Sequence, residues 1–103
     1  MRIPEASYAA RLAWRSSHVD TQNGRCAYCH RRMVAGGRQA LRPTLDHVVP
    51  LGTGGEDRFD NTVAACLRCN SLKAGMTVAE FRQAFPEIVR LTADAHPGLG
   101  ADA

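Results

Sequence analysis

Four cysteines in two Cys-x-x-Cys pairs, Cys26 with Cys29 and Cys66 with Cys69, carry the clearest chemistry in this chain. Each pair can offer two thiolates to one tetrahedral ion, and two pairs complete the closed four-sulfur shell of a structural zinc site. His30 directly follows Cys29, but four sulfurs leave the metal no need of it. We therefore predict one structural Zn²⁺ whose ligand pairs are separated by a folded insert.

The insert and its border hold a second group of reactive side chains. In chain order they are Asp46-His47, Asn61 and Cys66-x-x-Cys69-Asn70-x-x-Lys73, with Gly54-Gly55 in the intervening loop. This pattern resembles the HNH endonuclease family over about residues 24–75. The resemblance implies an α+β fold, a small zinc-stabilised ββα-metal (His-Me finger) module, in which two short antiparallel strands and a helix surround one divalent metal.

The positions that give the family its name correspond here to His47, Asn61 and Asn70. Many members have histidine at the third position, and asparagine followed by x-x-Lys is a common subtype. An amide oxygen is a hard ligand that suits Mg²⁺ or Mn²⁺, so the chemistry of Asn70 agrees with a catalytic metal of that kind.

Hydrolysis of a phosphodiester needs an activated water and charge stabilisation at the phosphate. Histidine exchanges a proton near neutral pH, so His47 is the expected general base. Asp46 and Asn70 are the expected oxygen ligands of the catalytic ion, and Asn61 is expected to orient the site by bonding to loop or strand backbone. Neighbouring residues on a regular strand point to opposite faces, so we expect the strand to end, twist or bulge at Asp46 and His47.

The expected DNA contacts are Lys73, which shares a helical face with Asn70, and Arg68. Glu56, Asp57 and Asp60 are rival carboxylates, which we expect to solvate the loop or to form a turn before Asn61.

The elements that must position these residues fit one domain over residues 1–103. We predict a helix at about residues 4–18, a strand at 44–49, and a return strand or helix lead at 62–65. A helix is expected at about 67–74, before Gly75.

Thr77 and Glu80 have the spacing of a capping box, so a flanking C-terminal region from residue 77 to 95 should begin with a helix. Val78, Phe81 and Phe85 are spaced to face the core. Residues 87–95 are compatible with a final helix, and residues 97–103 are predicted to be disordered. In the N-terminal helix, Arg11 and Arg15 form a basic face that is either solvated or in contact with DNA, and His18 is expected to cap the helix or lie on the surface.

The formal net charge of +3 favours an anionic partner, and we predict DNA. No segment has the apolar run of a signal peptide or a membrane span, so we predict a cytoplasmic protein with reduced thiols and no membrane association. A homodimer or a targeting partner protein stays open, as does the target sequence.

Two alternatives to a nuclease remain. The first is a non-catalytic zinc module that binds nucleic acid through its arginines, namely Arg11, Arg15, Arg25, Arg31, Arg32, Arg38, Arg42 and Arg68. The second is a redox protein in which the cysteines form a titratable dithiol.

Overall fold

The computed structural model describes residues 6–36 and 39–90. Within these ranges the regular elements are helix α1 (Tyr8–Thr21), strand β1 (Pro43–His47), strand β2 (Thr62–Cys66), helix α2 (Leu67–Lys73) and helix α3 (Val78–Ala84), with short 3-10 turns in the connections. The predicted α+β fold, with a small antiparallel sheet and flanking helices, is confirmed.

The two strands form an antiparallel hairpin that sets the register of the site. Asp46 lies opposite Val63, and His47 lies opposite Thr62. All of β2 is buried because α1 covers it and its residues are apolar or hydroxylated. Pairing with β2 thus fixes the backbone of β1 from which the Asp46 and His47 side chains project.

Helix α1 begins and ends a few residues later than its predicted bounds of 4–18. The Ser7 hydroxyl accepts a hydrogen bond from the Ala10 amide at 3.1 Å and caps the N-terminus. The helix ends before Asn23 and Gly24, which have φ angles of 56° and 75°. Residues 1–5, where the predicted start fell, lie outside the described residues.

Helix α3 begins with the predicted capping box. The Thr77 hydroxyl accepts from the Glu80 amide, and the Glu80 carboxylate accepts from the Thr77 amide. Val78 and Phe81 are fully buried, and Phe81 meets the Tyr28 ring edge-on with centroids 5.5 Å apart.

The final helix predicted at 87–95 does not form over residues 87–90. Residues 86–88 form a turn instead, and the Arg90 amide donates to the Tyr28 carbonyl, which ties the segment to the core in a non-helical form. Residues 91–103, including the predicted tail, lie outside the described residues. Among the residues that are described, none belongs to a helix with the length and apolarity needed to cross a bilayer.

Candidate metal centres and active site

The four cysteine sulfurs converge on one buried point. All four Sγ atoms lie within 4.8 Å of one another, and Cys29 and Cys66 are 3.9 Å apart. A tetrahedral zinc ion with Zn–S bonds of about 2.3 Å requires sulfur separations of about 3.8 Å. The cluster therefore has the donors and the spacing for one zinc ion.

Two tight turns bring these sulfurs together. Cys26 and Cys29 lie on a knuckle closed by the Arg25–Arg32 bridge, while Cys66 ends β2 and its Sγ accepts from the Cys69 amide at the start of α2. Hydrogen bonding to Cys26 lowers the pKa of Cys66 to about 7, although hydrogen bonding to Cys29 acts in the opposite direction, whereas hydrogen bonding to Cys26 raises the pKa of Cys69. A bound dication would allow all four to ionise.

Asp46 is buried, with one carboxylate oxygen fixed by the fold. Its Oδ2 accepts a short hydrogen bond from the Tyr28 hydroxyl and lies 3.2 Å from the Lys73 ammonium. Burial, together with the neighbouring Asp46 charge, raises the pKa of Tyr28 well above its usual value, so the phenol stays a donor. Within the described residues Oδ1 has no hydrogen-bond partner, which leaves it available to a metal.

Lys73 is buried, although the sequence predicted that it would contact a DNA phosphate at the surface. Its side chain is 0% exposed, and its Nζ donates to the His47 carbonyl at 3.0 Å besides pairing with Asp46. A buried ammonium is stable only when it is paired and hydrogen-bonded, and Lys73 meets that condition entirely inside the protein. The structure thus places it as an internal counter-ion of Asp46.

Asn70 is oriented by two contacts with β1. Its Nδ2 donates to the Thr44 hydroxyl at 2.9 Å and to the Leu45 carbonyl at 3.3 Å. Because both donors point into the fold, the amide oxygen is the atom left for a ligand. Asp46, His47 and Asn70 line one cavity of about 290 Å³.

His47 is the last residue of β1. Of the three predicted possibilities, that the strand ends, twists or bulges at Asp46 and His47, the structure shows that it ends. Asp46 contacts Tyr28 and Lys73, whereas the His47 Nε2 lies 2.8 Å from the Asp57 Oδ1. The two side chains therefore have separate partners but border the same cavity.

Asn61 ties the loop that follows His47 back to the end of β1. Its amide accepts from the Val49 amide at 3.0 Å and donates to the Val49 carbonyl at 3.0 Å and the Glu56 carbonyl at 2.8 Å. Gly55 lies so close to this backbone that an added Cβ would fall 1.8 Å from the Val49 carbonyl oxygen. The loop can take this path only with glycine at that position.

A family model described as HNH endonuclease matches residues 26–86, more than half of the chain. The chain belongs to the HNH endonuclease family. This confirms the resemblance inferred from the cysteine pairs and the residues between them.

Two Cas9 proteins are similar to this HNH chain. The CRISPR-associated endonuclease Cas9 of Corynebacterium diphtheriae is 36% identical over 67 residues, which cover 64% of this chain and 6% of that protein. The crystal structure of the type II-C Cas9 enzyme from Actinomyces naeslundii matches with a TM-score of 0.66 at 28% identity, covering 89% of this chain and 10% of the other. This HNH chain thus spans a tenth or less of the length of either relative.

One important contact of this HNH domain was not predicted from the sequence. Asp57, expected to be a solvated loop residue, has a side chain only 6% exposed and forms an ion pair with Arg11 of α1. The Arg11 guanidinium holds the pKa of Asp57 well below its usual range. Arg11, one of the two arginines of the predicted basic face, is thus paired with a carboxylate of the loop. Glu56 and Asp60, by contrast, are exposed and lie near Arg58, as loop carboxylates should.

His18, expected to cap the helix or to lie on the surface, is buried between α1 and the sheet. Its Nε2 is 2.9 Å from the Thr62 hydroxyl, and its ring stacks on Phe59 with centroids 4.4 Å apart. Since α1 packs on β2, a residue near the end of the helix can contact the start of the strand. Arg11 and His18 both precede the residues matched by the family model.

Arg68, the other predicted DNA contact, is half-buried on α2. It borders a second cavity of about 290 Å³ that contains several basic side chains, lined by Cys29, Arg31, Arg68, Glu87, Ile88 and Arg90. This cavity lies beside the cysteine cluster because Cys29 contributes to its wall.

Proposed function

We propose that this chain is a metal-dependent DNA endonuclease that hydrolyses phosphodiester bonds. The observation that supports the proposal most directly is that Asp46, His47 and Asn70 line one cavity. The fold fixes one atom of each side chain and leaves another available for chemistry. A module that only bound nucleic acid would need no such arrangement of base and oxygen ligands.

In this proposal, His47 takes the proton from the attacking water as general base. Asn61 acts indirectly, because its three hydrogen bonds hold the loop after His47 against the end of β1. Tyr28 and Lys73 hold the Asp46 carboxylate with one oxygen turned inward.

Asp46 Oδ1 and Asn70 Oδ1 are the proposed ligands of the catalytic ion. Carboxylate and amide oxygens suit Mg²⁺ or Mn²⁺, which keep most of their coordination sphere for water and phosphate. When bound, such an ion polarises the phosphate and stabilises its developing charge. We assign the structural Zn²⁺ to the four cysteines, where it supports the fold and takes no part in the reaction.

A cleavage assay tests the proposal. The protein should nick or cut plasmid DNA with Mg²⁺ or Mn²⁺, leave 5′-phosphate ends, and stop when EDTA removes the ion. Asn70→Ala should raise the metal concentration at half-maximal rate by at least about 10-fold, because even loss of an outer-shell partner costs that much. Ser71→Ala, at the exposed next position, is the matched control and should behave as wild type.

Metal titrations of Asn70→Ala and Ser71→Ala test whether Asn70 is a ligand of the catalytic ion. An Asn70→Ala midpoint equal to that of Ser71→Ala would remove Asn70 from the metal site. Salt-sensitive DNA binding without any metal-dependent cleavage would instead support the non-catalytic zinc module.

We further propose that the cavity lined by Arg31, Arg68 and Arg90 binds DNA phosphates. These side chains place positive charge together on one surface beside α2. Phosphate contacts of this kind position a protein on the duplex without reading its sequence.

Arg68→Gln should weaken DNA binding several-fold and lower the slope of log affinity against log salt by about 1, since one phosphate contact is lost. Fluorescence anisotropy at several salt concentrations measures both quantities. Arg25→Gln removes the same charge from the knuckle, where the guanidinium already donates to the His30 carbonyl, and should change the slope less. Equal slopes for wild type and Arg68→Gln would exclude Arg68 from the interface.

The Cas9 relatives are much longer than this chain, so a module of this size occupies a small part of each. We propose that target selection depends on surfaces outside this module, supplied by a partner or by further domains.

A further inference from the structure

The ring of His47 makes a hydrogen bond that general-base chemistry alone does not require. Its Nε2 lies 2.8 Å from the Asp57 Oδ1. The other oxygen of Asp57 accepts from the Ala6 amide and the Arg11 Nε, both at 3.1 Å, and makes a short contact with the second guanidinium nitrogen. One carboxylate therefore joins α1 to the proposed base.

The ion pair between Asp57 and Arg11 determines which ring nitrogen of His47 carries the hydrogen. The Arg11 guanidinium and the His47 hydrogen bond lower the pKa of Asp57, while its burial acts in the opposite direction. An ionised carboxylate can only accept, so Nε2 must bear the hydrogen in the neutral ring. The lone pair is then on Nδ1, which makes Nδ1 the atom able to take a proton from water.

We propose that Asp57 is a positioning residue for His47: its carboxylate fixes the tautomer and orientation of the ring, and Arg11 of α1 fixes the carboxylate. The inference rests on the proposed role of His47 as the base. It adds a residue of the loop and a residue of the N-terminal helix to the set on which the reaction depends.

A simpler reading is that Asp57 only fastens α1 to the loop. The two readings differ in what happens when His47 is absent. A residue that acts through the ring loses its effect in a His47→Ala background, whereas a structural anchor continues to matter there.

Steady-state cleavage kinetics with excess DNA provide the first test. Asp57→Asn should lower kcat by about 10²-fold or more and change KM by less than about 3-fold, because an amide can donate to Nε2 and favour the wrong tautomer. Asp57→Glu should recover part of the rate. In the His47→Ala background, Asp57→Asn should cause no further loss. Glu56→Gln, a neighbouring exposed carboxylate paired with Arg58, is the matched control and should leave kcat unchanged.

An equal loss from Asp57→Asn in both backgrounds, or a loss confined to KM, would overturn the inference. Thermal melts check that each variant is folded at the assay temperature. Should Asp57→Asn not fold, Arg11→Gln applies the same test, since it keeps the carboxylate but frees it to turn. A several-fold lower kcat with unchanged KM supports the inference, and an unchanged kcat overturns it.

Nitrogen-15 NMR of the histidine ring gives a test that needs no cleavage. At a pH where the ring is neutral, the wild type should show His47 with its hydrogen on Nε2, and Asp57→Asn should shift the ring toward the other tautomer. The same tautomer in both proteins would overturn the inference even if the protein proved to be a nuclease. Failure of the wild type to cleave would refute the proposed function and leave this measurement to decide the His47–Asp57 pairing by itself.

Discussion

His47→Ala is expected to lower the rate of DNA cleavage by about 10²- to 10⁴-fold, the range that a positioned general base contributes. The fold should persist, because the ring is partly exposed and its loss removes one side-chain hydrogen bond, worth about 1 kcal/mol. Asp46 and Asn70 remain in place, so metal and DNA should still bind. Single-turnover kinetics, DNA-binding isotherms and a thermal melt measure the three quantities.

His18→Gln provides the contrast for this result. His18 is buried more deeply than His47 and contacts Thr62, but it does not line the cavity with Asp46 and Asn70. Its substitution should lower the melting temperature and, below that temperature, leave the cleavage rate within a few-fold of wild type. Equal cleavage by His47→Ala and wild type would contradict the assignment of His47 as the base.

Cys66→Ser is expected to unfold the domain under conditions where the wild type is folded. Binding of a structural zinc supplies on the order of 10 kcal/mol or more, as much as the whole stability of a typical small domain. Cys66 contributes a sulfur to the cluster and also caps α2, so zinc loss acts on the sheet and on the helix that carries Asn70. Metal analysis of the purified protein and circular dichroism with and without a strong chelator provide the measurements.

His30→Asn is the control for the zinc site. His30 adjoins Cys29 but is not among the residues whose ligand atoms meet, and asparagine tolerates its φ of 64°. This variant should retain one zinc and melt near the wild type. If Cys66→Ser also retained zinc and melted like the wild type, the structural role of the cluster would be refuted.

Local signals predicted the parts of this fold that depend on short spacings. The two Cys-x-x-Cys pairs form one cluster, and the capping box of Thr77 and Glu80 begins α3. The sequence also predicted a strand at 44–49 that ends, twists or bulges at Asp46 and His47, and in the structure β1 (Pro43–His47) ends there, two residues before the predicted bound. These features need only neighbouring residues or a motif of known spacing.

Contacts between distant segments were not predictable in the same way. Arg11 and Asp57 are separated by 46 residues, and His18 and Thr62 by 44, so no periodicity links them. Lys73 has the helical spacing of a phosphate contact, but the packing of Tyr28 and Asp46 against α2 encloses its ammonium. In each case the polar group is buried because another element covers it, and that covering is a property of the tertiary structure.

The internal pairing of Lys73 with Asp46 bears on the order in which this protein is assembled. A buried carboxylate without a cation would oppose folding, but here the polypeptide supplies its own positive charge. We therefore expect folding to depend on the proposed structural zinc and not on the proposed catalytic ion. Without Mg²⁺ or Mn²⁺ the domain should still fold but should not cleave DNA, so these ions would control the rate of the proposed reaction and not the stability of the fold.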